Sequence, residues 1–248
     1  MNKFKDHFSG HAARYRESRP HYPEALYAWL AQQCERHELA WDAGCGNGQA
    51  SVALAGHFRE VFGSDPSEQQ IGEAIALPNV RYAVEPAETC ELFDRSVDLA
   101  TIAQAMHWVD LDRYYAEVRR VLKRGAVFAA WCYGLMHVTP EFDAAVAELY
   151  EPILGPYWAP ERRLVENGYA TLAFPFSVID APCFEMRHEW TLDEVLGYIE
   201  SWSALQKCRK QTGRDPLAGM RARFASAWGA PESRRAVVWP LSVRAGRM

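Results

Sequence analysis

The sequence predicts an α/β fold: a mostly parallel seven-stranded sheet with helices on both faces and a cap inserted after the fifth strand. Three observations carry this prediction. Short apolar runs alternate with helical patterns as far as Trp131. A turn containing Gly44, Gly46 and Gly48 joins the first strand to the next helix. After Trp131 the alternation gives way to a stretch rich in proline and aromatic residues, and regularity returns near Phe184. Strands that alternate with helices pair in parallel, because each crossover helix covers one face of the sheet.

Taken in order, residues 24–36 read as a helix, with Pro23 at its start and Leu26, Trp29 and Leu30 on one face. Residues 39–42 form a strand that enters the glycine turn, and 49–58 are apolar at helical spacing. The second strand, 60–64, ends at Asp65-Pro66, and a weak helix through Ile71 and Ile75 stops at Pro78. Residues 80–84 are the third strand, and 97–103 are apolar throughout, as a central buried strand requires. An amphipathic helix over 111–123 is closed by Gly125, and 126–131 are the fifth strand. Residues 134–180 read as a helix over 141–150 plus an irregular cap without sheet. Then come a strand (184–190), a helix (192–203) and a last strand (237–243). The arrangement is Rossmann-like. It predicts one domain over 1–248, with a core of 24–133 and 181–248, an N-terminal lid of 1–23 and a cap of 134–180.

Composition narrows the function. With 248 residues, 49% of them hydrophobic and 12% aromatic, the chain carries ample core material. No apolar run approaches the ~20 residues of a membrane-spanning helix. The first twenty residues lack the apolar stretch of a secretory signal, so a cytoplasmic protein without a membrane partner is expected. The net charge of −5 disfavours nucleic acid as a partner. Arg221, Arg223, Arg234, Arg235, Arg244 and Arg247 crowd the C-terminal quarter and read as a solvated face. The six cysteines are scattered without a C-x-x-C pair, so neither disulfides nor zinc are expected. His7 and His11 lie four apart but lack a third ligand, so no metal is expected.

The segment W-D-A-G-C-G-N-G-Q, residues 41–49, carries the chemistry. Glycine permits positive φ and close approach of backbone to a ligand. Ligands of open α/β sheets bind beyond the carboxyl ends of the strands. Asp65, 21 residues after Gly44, is placed to accept hydrogen bonds from ribose hydroxyls. The spacing G-x-G-x-G differs from the G-x-G-x-x-G of nicotinamide dinucleotide sites, and Asp42 beside the turn would repel a diphosphate. A carboxylate there suits an ammonium, which S-adenosylmethionine carries.

D-A-G-C-G-N-G resembles the first motif of the class I S-adenosylmethionine-dependent methyltransferases, matching D-x-G-x-G-x-G at every fixed position. Y-R-E-S-R-P-H-Y-P (15–23), Q-A-M-H-W (104–108), A-W-C-Y-G (130–134), P-E-F-D (140–143) and L-G-P-Y-W (154–158) resemble the branch that contains fungal trans-aconitate methyltransferase. The resemblance implies that Gly44, Cys45, Gly46 and Gly48 lie under the methionine part of S-adenosylmethionine, and that Asp42 binds its ammonium through water. It also implies that Asp65 holds the ribose, that Pro66 lies against adenine, and that the Ala87 backbone and Glu88 lie at the adenine edge. Pro86 stands where the family usually has an acid, so adenine recognition departs from the pattern.

On the acceptor side, Gln104, His107 and Trp108 follow the central strand and are the catalytic candidates, with Gln104 also facing the cofactor. His107 either orients the acceptor or acts as a base. Phe8, Tyr15, Arg19 and Tyr22 form one candidate wall, in which Tyr15 and Arg19 reach the cofactor. Trp131, Tyr133, Tyr157, Trp158 and Arg163 form the other. Each ring taken alone is also accounted for by core packing. The expected function is methyl transfer to a small organic acceptor, with a carboxylate among the candidates, by a monomer or homodimer. Two alternatives remain open at this stage: an adenosylmethionine-binding protein without turnover and a nicotinamide-dependent oxidoreductase.

Overall fold

The computed structural model describes residues 20–248. Helix α1 (Glu24–Gln32) precedes strand β1 (Leu39–Ala43). There follow α2 (Gln49–Leu54), β2 (Glu60–Asp65), α3 (Glu68–Gly72), β3 (Val80–Val84), β4 (Val97–Ala103), α4 (Leu111–Val121) and β5 (Leu122–Tyr133). Five strands are thus joined by four crossovers. They lie in the order β3-β2-β1-β4-β5, all parallel. Chain order reverses between β1 and β4, which opens a crevice at their carboxyl ends. β4 is buried at six of its seven positions, because helices cover both faces there.

The C-terminal half contains α5 (Pro140–Glu148), α6 (Arg162–Glu166), β6 (Ser177–Ile179), β7 (Phe184–Trp190), α7 (Leu192–Glu200), α8 (Ser203–Thr212), α9 (Pro216–Trp228) and β8 (Arg235–Arg247). β8 is antiparallel to β5 through its second half and to β7 through its first. Short β6 pairs with the last residues of β8. The sheet therefore has eight strands rather than the expected seven, and the 134–180 segment is not free of sheet. The added strand exists because of Gly246. A Cβ there would stand 2.7 Å from Phe176 and 2.8 Å from Phe174, so only glycine lets this edge close.

Gly125 does not end the preceding helix. α4 stops at Val121, and buried Leu122 already pairs with Val97. Gly125, at φ +79°, sits in the irregularity where the register jumps from Val97–Leu122 to Leu99–Val127. Burial of Leu122 outweighed the glycine stop signal. Helices α8 and α9 were not expected, although Asp215 caps α9 with Pro216 in its first turn and Gly213 ends α8 in the left-handed region.

These late helices pack with the segment after β5 and with one face of β7 and β8. Phe142, Leu149 and Leu154 share one buried cluster with Val195, Ile199, Leu205, Phe224 and Trp228. The Phe142 ring lies 5.2 Å from both Phe224 and Trp228. The cap is built from two stretches of chain, before β6 and after β7. Of the six arginines read as a solvated face, Arg221, Arg223 and Arg234 are exposed, and Arg235, Arg244 and Arg247 are half-buried. Arg221, Arg223 and Arg234 pair with Glu200, Glu148 and Glu194. Arg235, Arg244 and Arg247 donate to backbone carbonyls. All six cysteines are free thiols. Among the described residues, no helix is long and apolar enough to cross a membrane.

Candidate active site at the carboxyl ends of the central strands

The turn after β1 is held in the left-handed region at three positions: Gly44 (φ +62°), Gly46 (+55°) and Gly48 (+84°). Side chains are excluded for a second reason at two of them. A Cβ on Gly44 would meet that of Ala105 at 2.8 Å, and one on Gly48 would run into the Tyr82 ring. The backbone is thus pressed against its neighbours on one side and left bare for a ligand on the other. Cys45 lies in the turn, and its N–H donates to Ser64 O at 3.0 Å.

Asp65, at the end of β2, braces the loop. Its Oδ2 accepts from Gly46 N at 2.9 Å and its Oδ1 from Ser67 N at 2.9 Å. Each carboxylate oxygen carries two lone pairs, the acceptor chemistry that a vicinal diol needs. Pro66 follows directly, half-buried.

Asp42 lies lower than the resemblance implies. It is fully buried, and its register neighbours on β2 and β4 are Gly63 and Thr101. Ser51 donates to it at 2.7 Å and Thr101 at 3.1 Å. Burial, helped by the charge of Asp65, pushes its pKa up to about 6 against those two hydroxyls. Ser51 and Thr101 were not anticipated; the β1–β4 register brings Thr101 there, and it is invisible to local pattern.

β4 ends at Gln104, which takes φ +53°, a costly conformation for a non-glycine residue and one that concentrates at functional sites. Its N–H donates to Trp131 O at 2.9 Å and its Nε2 to Tyr133 O at 3.0 Å. Its Oε1 is buried without a hydrogen-bond partner among the described residues. Gln70, on α3, likewise leaves Nε2 buried and unpaired, while its Oε1 approaches Gly46. Two unmet polar groups beside a bare glycine backbone are what a polar ligand would satisfy.

His107 and Trp108 lie in the single helical turn Met106–Trp108, with ring centroids 4.6 Å apart. His107 Nδ1 is 2.9 Å from the hydroxyl of Tyr169. Burial, with a smaller contribution from Arg162, lowers the His107 pKa to about 3, so the ring is neutral at ordinary pH. Trp131 and Tyr133 are buried at the end of β5, and Tyr22 packs edge-on against them at 5.6 and 6.2 Å. Trp158 stacks on Tyr150 at 4.8 Å, and its indole donates to Tyr150 O. Arg162, rather than the exposed Arg163, is the cation near His107. Its guanidinium stands 5.2 Å from the Trp158 ring centroid, and its Nε donates to Tyr150 Oη at 2.9 Å.

Three expected residues are not drawn into this group. The Tyr157 hydroxyl sits beside Cys208 of α8. Glu88 is engaged elsewhere: its Oε1 accepts from Asp110 N at 2.7 Å, fastening the loop after β3 to the start of α4. Ala87 is buried in the core beneath that loop. Phe8, Tyr15 and Arg19, with His7 and His11, lie outside the described residues. Among the described residues, no group of three His, Cys, Asp or Glu side chains is placed to hold a metal ion.

Comparison with known proteins identifies the chemistry. A methyltransferase-domain family model matches residues 41–130, the stretch that holds the loop and the first strands. A provisionally named methyltransferase of Dictyostelium discoideum is 35% identical over 230 residues, covering 91% of this chain and 88% of that protein. An uncharacterized methyltransferase of Mycobacterium tuberculosis is 35% identical over 187 residues, covering 74% of this chain and 70% of that one. A solved structure, provisionally assigned as a type II methyltransferase from Anaeromyxobacter dehalogenans, is 51% identical with a TM-score of 0.87; the match covers 92% of this chain and 97% of that one. The nicotinamide alternative ends here. The bare loop, the bracing carboxylate and the unmet Gln104 oxygen fit S-adenosylmethionine, which is the cofactor. The chain belongs to the class I S-adenosylmethionine-dependent methyltransferases and is an enzyme of methyl transfer.

Proposed function

We propose that this enzyme methylates a carboxylate oxygen of a small organic acid, giving a methyl ester. One observation carries the reading. Arg162 holds a positive charge near His107 with no carboxylate among the described residues in ion-pair range, fixed instead by Tyr150 and Trp158. A half-buried guanidinium held against aromatic rings suits an anionic ligand. The similarity of Q-A-M-H-W, A-W-C-Y-G and L-G-P-Y-W to the trans-aconitate methyltransferase branch supports the same class.

When bound, the cofactor supplies a methyl on a sulfonium: a lone pair of the acceptor forms the new bond to carbon while the carbon–sulfur pair returns to sulfur. The residues of the chain then have binding and alignment to perform. Gly44, Cys45, Gly46 and Gly48 offer backbone to the methionine part, and Gln104 Oε1 accepts from its ammonium. Asp42 attracts that ammonium from beneath the loop. Asp65 holds the ribose diol and Pro66 lies against adenine. Tyr22, Trp131, Tyr133 and Trp158 exclude water from the acceptor, and Trp108 forms the wall beside His107.

A panel of small mono-, di- and tricarboxylic acids, set against matched alcohols and amines with methyl-labelled cofactor, tests this. Label is expected in the acids. Arg162→Gln is expected to raise KM for the acid by about tenfold or more, since a charge-assisted hydrogen bond contributes ~1.5–3 kcal/mol, with a smaller change in kcat. Labelled alcohols or amines, with KM unmoved by the substitution, would show that the anion is not what the site recognises.

A further inference from the structure

We infer that Tyr169 fixes His107 in the tautomer that carries its proton on Nε2, so that His107 presents a hydrogen-bond donor to the acceptor and not a base. The inference deepens the carboxylate reading and rests on it for its consequence, though not for its geometry.

The geometry follows from counting donors and acceptors. Tyr169 is completely buried, so its hydroxyl can satisfy both its donor and its acceptor only within the protein. Among the described residues, the Tyr169 hydroxyl has one hydrogen-bond partner, a ring nitrogen of His107. A buried donor left without an acceptor costs more than an oxygen lone pair left unused, so the hydroxyl proton is directed at that nitrogen. The acceptor within reach is His107 Nδ1, at 2.9 Å. A neutral imidazole with a hydrogen bond arriving at Nδ1 keeps its proton on Nε2.

The ring stays neutral for reasons independent of Tyr169. Burial disfavours the imidazolium, and Arg162 opposes it, while Glu161 offsets these only in part. These are the charged groups among the described residues that act on His107. Tyr169 itself reaches the site through a left-handed backbone, φ +61°, in the segment between α6 and β6. That segment is pinned by Arg244, which donates to Tyr169 O at 2.6 Å and to Leu172 O at 2.7 Å. An arginine on β8 therefore helps set the proton on a histidine after β4.

The consequence concerns the acceptor. A hydroxyl or amine must lose a proton during methylation, and Nε2–H cannot take it. A carboxylate has no proton to lose: one oxygen bonds to the methyl carbon as the carbon–sulfur pair goes to sulfur. Nε2–H can then hold the other oxygen.

Two-bond 1H–15N spectra of the 15N-histidine-labelled full chain test the tautomer without any acceptor. His107→Gln removes one of the eight histidine patterns and so assigns it. The expected pattern is neutral with the proton on Nε2, unchanged from about pH 7.5 to about pH 5, where an unperturbed ring of pKa ~6.5 would titrate. Tyr169→Phe is expected to convert it to a mixture of both tautomers. A proton on Nδ1, titration near pH ~6.5, or an unchanged pattern in Tyr169→Phe would each overturn the inference. Should Tyr169→Phe not fold, the wild-type spectrum still decides which nitrogen holds the proton. Alcohol methylation with an intact Nε2–H pattern would defeat the carboxylate reading alone.

Discussion

Asp65→Ala is expected to weaken S-adenosylhomocysteine binding by about 100-fold or more in a calorimetric titration. Three losses combine. The ribose diol loses a charged acceptor, a contribution of ~1.5–3 kcal/mol. Gly46 N–H loses the oxygen 2.9 Å away that fixes the loop in its left-handed path. Ser67 N–H loses its own at 2.9 Å, just where the chain turns into α3. At ~1.4 kcal/mol per tenfold, the first loss and one loop bond already reach 100-fold. Asp65→Asn keeps the size but only one acceptor oxygen, and should fall between. His107→Ala, outside the loop, should change this affinity by less than about tenfold. Equal affinity in the Asp65 variant and the wild type would remove the ribose assignment.

Asp42→Asn should have opposite effects on stability and on binding. The Asp42 pKa is about 6 when folded, against 3.8 when unperturbed. Between those values the folded state holds the extra proton, so stability falls as pH rises through roughly 4 to 6 and levels off above. Two units correspond to about 3 kcal/mol of strain on the folded state at neutral pH. Asparagine carries no charge to bury, and Ser51 and Thr101 can reorient their hydroxyls toward its amide. Urea melts of the ligand-free variant should show a gain of about 2–3 kcal/mol near pH 7.5 that disappears below about pH 4. Cofactor affinity should fall, because the buried negative charge that draws the ammonium is gone. A variant less stable than wild type at neutral pH would mean that the two hydroxyls outweigh desolvation. Such a strained carboxylate under a binding loop is stability given up for function.

The parts of this enzyme that were legible in the sequence are those written in local pattern. The five parallel strands, the glycine turn and the acid after β2 each announce themselves within a few residues. So does the cap, through its prolines and rings. Long-range pairing is where local pattern failed. β6 is three residues long and depends on Gly246, about seventy positions away, to admit its neighbours. Gly125 is a good helix terminator by type, yet burial of Leu122 ended the helix first. In the site, Asp42 was found but its depth was not, because depth is set by Thr101 across the β1–β4 ladder. Arg163 was singled out where its neighbour Arg162 is the residue turned toward Tyr150. That choice depends on one step of rotation around the short helix α6. Tyr169 carried no motif at all; a left-handed backbone and a pin from Arg244 deliver it.

The acceptor chemistry can be read most directly from the bond that the enzyme makes. Purified enzyme, methyl-labelled cofactor and a small-molecule extract should give a labelled product. Mild alkali should release the label as methanol, because a carboxylate acceptor leaves a methyl ester. Label that survives alkali would place the methyl on an ether, amine or carbon. The cationic, base-free acceptor site described above would then be wrong.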